Sequence, residues 1–145
     1  MKATESSIFL LLTMSLISCS SGTHVSGNGE AAAVSAPATV AGKTYRITVE
    51  AGSGMFAPTG TFTVTFLSSQ PIYTKQGDGV TVGDSWGMYI YSASGESGTL
   101  EIEDSYAPDT ILSYSLTFNT AISGTYVATV ATDVNSTQSG AFTEQ

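Results

Sequence analysis

The stretch Thr61-Phe62-Thr63-Val64-Thr65-Phe66 decides the fold. Its apolar residues recur at every second position, and a period of two is that of a pleated strand with one face turned to a core and one to water. Phe62, Val64 and Phe66 go inward; the three threonines go outward. β-Branched and aromatic residues also suit a half-buried pleated surface, so pattern and propensity agree.

The same alternation extends in both directions along the chain. Upstream, Tyr45, Ile47 and Val49 alternate with Thr44, Arg46, Thr48 and Glu50. Downstream, Leu100 and Ile102 alternate with Thr99, Glu101 and Glu103, and Leu112, Tyr114, Leu116 and Phe118 with Ser113, Ser115 and Thr117. Tyr126, Ala128 and Val130 repeat it more loosely. Between the runs lie turn formers: Gly52-Ser53-Gly54, Pro58-Thr59-Gly60, Gln70-Pro71, Gly77-Asp78-Gly79, Ser94 to Gly98, Ala107-Pro108-Asp109 and Ser123-Gly124. Gly60, Gly98, Gly124 and Gly140 each precede a short residue and then a large one, as though each opens a strand. The reading predicts about eight strands, near 44–50, 61–67, 72–76, 86–92, 99–103, 111–119, 125–131 and 140–144, and no helix. Short strands in meander order favour an all-β, single antiparallel up-and-down barrel, because closure removes exposed edges. A two-sheet β-sandwich is the alternative. The inward set is bulky, so a filled core is expected rather than a cavity.

The 145-residue chain carries 12 acidic and 4 basic residues, a net charge of −8. That balance speaks against nucleic acid as a partner and against close approach to anionic lipid. One domain of roughly 100 residues is expected over 42–145. Residues 20–41 lack aromatics and any apolar period, and read with Cys19 as a flexible linker over 19–41. The sole histidine, His24, falls there, where nothing preorganises a site.

Ahead of the linker, Ile8 to Ile17 form an apolar run too short to span a bilayer, and Leu16-Ile17-Ser18-Cys19 closes it with the chain's single cysteine. These four residues resemble, position by position, the lipobox of bacterial lipoproteins. The resemblance implies a signal peptide over 1–18, removal of that peptide, diacylglycerol attachment to the Cys19 sulfur and a membrane held through that anchor; two or three acyl chains on one residue hold durably where one does not. Ser20 resembles the outer-membrane sorting signal of enteric bacteria, which implies a lipid-anchored position in the bacterial cell envelope, at the outer membrane. Glu5 beside Lys2 departs from the usual basic start of such peptides. With one cysteine there is no intramolecular disulfide. The Thr-rich phrases between Gly42 and Tyr126 are similar to uncharacterised, lipocalin-like β-meander modules of exported bacterial proteins, a resemblance that implies a barrel and brings no catalytic residues.

The stretch Trp86-Gly87-Met88-Tyr89-Ile90-Tyr91 is unusual because both faces of one strand carry large apolar groups. If Tyr89 and Tyr91 point inward, Trp86, Met88 and Ile90 form an exterior patch for a protein, glycan or small apolar partner, unless a loop covers it. Glu101, Glu103, Asp104, Asp109, Asp78 and Asp84 read as solvated strand faces and turn formers; they lack the spacing of a calcium loop. Glu101 and Glu103 share the outer face, which is unsuited to paired-carboxylate hydrolysis. Lys43, Arg46 and Lys75 are too scattered to clamp phosphate, and no histidine follows residue 24 to serve a triad. No cofactor or metal is expected. The sequence therefore favours a lipid-anchored, non-enzymatic barrel that binds or supports, with a carboxylate-dependent glycan-acting enzyme and a self-associating surface protein as alternatives.

Overall fold

A computed structural model describes residues 33–79 and 84–145. Cys19, His24 and the segment expected as a signal peptide lie outside the described residues. The described chain is all-β: β1 (Thr44–Gly52), β2 (Gly60–Phe66), β3 (Ile72–Gly77), β4 (Ser85–Ser94), β5 (Ser97–Asp104), β6 (Ile111–Thr120), β7 (Ser123–Val130) and β8 (Asp133–Glu144). Each strand pairs antiparallel with the next, and β8 returns to β1, closing an up-and-down barrel. Closure gives every strand a neighbour on both sides, the outcome favoured over the sandwich alternative.

Parity governs the wall. In β2 Phe62, Val64 and Phe66 are buried, and in β5 Gly98, Leu100, Ile102 and Asp104 are buried while Ser97, Thr99, Glu101 and Glu103 are exposed. Tyr45, Phe66, Phe118 and Phe142 meet edge to face in the lumen, with centroids 5.0–6.1 Å apart. Each well-buried ring or branched side chain contributes about 1.5–3 kcal/mol of transfer free energy. Among the inward side chains of the mid-barrel a space of only about 50 Å³ remains, almost wholly apolar, so the bulky inward set fills that part of the interior. Apolar inside and polar outside is the reverse of a lipid-exposed barrel.

Two of the glycines expected to open strands, Gly124 and Gly140, have a second task, which Gly87 shares. Facing inward, they lie across the ladder from inward aromatic rings, Gly124 and Gly140 opposite Phe142 and Tyr126, and Gly87 opposite Tyr73. A Cβ on Gly140 would come within 3.1 Å of the Tyr126 ring and 2.0 Å of the Thr48 carbonyl oxygen. Gly140 therefore does not begin a strand; β8 begins seven residues earlier, at Asp133, and the glycine sits within it. The polar run 133–139 has weak strand propensity and is held by pairing on both sides, to β7 and to β1.

The linker expected over 19–41 is corrected at its end. Val40 is 2% exposed and Ala36 8%, both in the core, with Val34 packed against it. The Ala36 N–H donates to Gly95 O at 2.8 Å and Tyr91 Oη donates to Pro37 O at 2.9 Å. Residues 34–40 thus stopper the end of the barrel where β4 turns into β5, so the barrel unit starts before residue 42. Short apolar residues suffice because the lumen supplies the surface they cover.

Candidate functional site

The outer wall around β4 bears the candidate patch. Trp86, Met88 and Ile90 point outward and are 58%, 54% and 70% exposed. Tyr89 and Tyr91 point inward and are half-buried, Tyr89 packing edge-on to Phe66 at 4.8 Å and Tyr91 bonding to the stopper. The expected two-faced strand is therefore real, and among the described residues nothing covers its outer face. Across the ladder, Met88 lies between Ile72 and Glu103, with Ile111 beyond Glu103. Ile90 faces Glu101. Pro71, Met88, Ile90, Glu101, Glu103 and Ile111 border a shallow groove of about 240 Å³. Two carboxylates thus sit among exposed aliphatic groups, with no cation among the described residues of the groove.

A second constellation lies inside the opposite end from the stopper, and the expectation of solvated acidic groups fails there for Asp104. One step past Glu103 in β5, it takes inward parity and is 3% exposed. Its Oδ2 accepts from Tyr73 Oη at 2.6 Å, Ser85 Oγ at 2.9 Å and Lys75 Nζ at 3.0 Å, and its Oδ1 accepts the Tyr106 N–H at 3.0 Å. Burial pushes the carboxyl up, but the hydrogen bonds from Tyr73, the Tyr106 amide and Lys75, with the lysine's charge, outweigh it, so the group titrates below the ordinary aspartate range. Tyr73 is driven far above the usual phenol value by burial, then by its bond to Asp104. The carboxylate is thus held ionised and supplied with four donors, which suits anchoring better than proton transfer. Parity could have flagged Asp104 in the sequence; its partner Lys75, 29 residues away, could not be read.

The remaining acidic side chains among the described residues sit in turns or on the wall. Asp109 occupies a loop position at φ 68°, Asp78, Asp84, Glu101 and Glu103 are exposed, and Glu144 pairs with Lys43 at 2.6 Å beside the stopper. Among the described residues no three or more His, Cys, Asp or Glu side chains converge on a metal-sized space. No described helix is long and apolar enough to cross a membrane. Compared with protein-family models, curated proteins and solved structures, the chain gives no match.

Proposed function

We propose that this chain is a lipid-anchored protein of the bacterial cell envelope, held at the outer membrane through Cys19, whose barrel is a non-enzymatic module that docks a partner protein on its outer wall. The observation that carries the reading is the exposed row of Trp86, Met88 and Ile90 beside an outer-wall groove of about 240 Å³, against spaces of about 50 and 140 Å³ inside the barrel. A filled mid-barrel leaves the wall as the larger binding surface, and isolated apolar residues are common whereas a bordered apolar groove marks a contact site. Glu101 and Glu103 in that groove favour a partner that presents aliphatic groups beside Lys or Arg. They also disfavour self-association of two such faces, since like charges would meet. The non-enzymatic part of the reading is supported by Asp104, the inward carboxylate of the mouth, being held by four protein donors with no second carboxylate described beside it, where glycoside chemistry uses a pair.

The anchor is tested by Cys19→Ser: metabolic labelling with an alkynyl fatty acid and membrane retention are both expected to vanish, and survival of both refutes it. The wall is tested with a photo-crosslinking residue at Met88 in cells. A discrete adduct that weakens with salt and disappears on Glu101→Gln/Glu103→Gln supports the reading. An adduct at twice the chain's own mass, or none, refutes it.

A further inference from the structure

The mouth of the barrel, at the end away from the stopper, holds a crevice of about 140 Å³. Met55, Phe56, Leu112 and Tyr114 contribute apolar wall, while Lys75 and Gln138 stand at its polar side. That volume is close to a cavity known to take one benzene ring, about 150 Å³. The polar side offers donors with hydrogens to spare. Asp104 Oδ2 is filled by three protein donors while Oδ1 takes one, and the Gln138 carbonyl takes Tyr126 Oη at 3.1 Å. Lys75 has three N–H bonds and gives one to Asp104 at 3.0 Å; Gln138 has two and gives one to Ala57 O at 3.2 Å. The Lys75–Asp104 pair carries no net charge, and the chain as a whole carries −8, so the site does not favour an anion. An apolar, ring-sized space with convergent donors of fixed position is the ordinary form of a small-molecule site.

We infer that the mouth crevice binds a small neutral molecule made of one ring and one hydrogen-bond acceptor, such as an aryl amide or ketone, with its acceptor on Lys75 and its ring against Met55, Phe56 and Leu112. The site is separate from the outer wall: Met55 lines the mouth and Met88 the wall. The two methionines therefore report on the two sites independently. In the full chain reconstituted in lipid nanodiscs with [methyl-13C]methionine, benzamide is expected to shift the Met55 methyl saturably and leave Met88 still. Lys75→Met is expected to weaken benzamide about tenfold, the loss of one hydrogen bond to a charged donor, and to leave toluene unchanged. Because that variant disturbs a buried pair, a second one at the rim, Ala107→Trp, is used to block the crevice sterically and should abolish the Met55 shift. The inference is overturned if Met55 does not move or moves without saturation, if Ala107→Trp binds as well as the parent, or if benzoate binds more tightly than benzamide. Each of these results leaves the Met88 face unaffected.

Discussion

Replacing Asp104 with Asn tests the account of the mouth most directly. The substitution keeps size and shape but removes the charge, and it turns an acceptor toward three donors, Tyr73, Lys75 and Ser85, into an amide that can satisfy only part of the set. Asp104 is 3% exposed and the Lys75 side chain 12%, so water cannot readily replace the lost partner. Leaving one member of a buried pair uncompensated costs about 3–5 kcal/mol. For a domain of this size, about 4 °C of Tm per kcal/mol gives a fall of about 12–20 °C at neutral pH. Thermal denaturation followed by circular dichroism, with urea unfolding beside it, reads this out. The pH dependence has a definite sign. The carboxyl titrates lower folded than unfolded, so its contribution is complete above the unfolded value near 3.8 and is lost as pH falls through the lower, folded value. The gap between parent and Asp104→Asn should therefore be constant from about pH 5 to 7 and narrow below about pH 4. The double change Asp104→Asn/Lys75→Met, which removes both charges and keeps an amide oxygen for Tyr73 and Ser85, should recover much of the loss, because the unpaired buried ammonium is gone. A fall of less than about 4 °C for Asp104→Asn, or a gap that does not narrow in acid, refutes the reasoning.

Three other outcomes follow from the packing. Tyr45 Oη is buried without a hydrogen-bond partner among the described residues, so Tyr45→Phe should leave Tm unchanged or raise it by the equivalent of about 1 kcal/mol, read by the same thermal melt. Gly140→Ala would place a methyl 2.0 Å from the Thr48 carbonyl oxygen and should cost at least about 2 kcal/mol in urea unfolding, whereas Gly95→Ala, with open space around its Cβ, should cost only the strain of its φ of 57°. Val40→Ser should cost about 2 kcal/mol and raise hydrogen exchange at Gly42 and Phe66, since it loosens the stopper where these residues bond.

The strand pattern from residue 44 to 130 was legible because pleating translates side-chain type into side with a period of two, and the translation is local. It placed Phe62 and Leu100 inside and Glu101 and Glu103 outside before any contact was known, whereas the orientation of the Trp86, Met88 and Ile90 face was left open and only the structure turned it to water. Asp104 was misread for a related reason: grouped with its acidic neighbours by composition, it belongs by parity with Ile102. The residues before 44 and between 133 and 139 escaped, because Ala36, Val40 and Ser136 carry no periodic signal and are buried only by surfaces that distant strands create.

A single strand thus carried in its own order which of its faces is wet, since that depends on residues two apart. What stands opposite each buried face was settled only by closure of the ring. The meeting of Lys75 with Asp104, the room that Gly140 leaves for Tyr126, the stopper under Tyr91 and the ring-sized crevice at the mouth all join residues that the chain keeps far apart, and only the register of eight paired strands determines which of them touch.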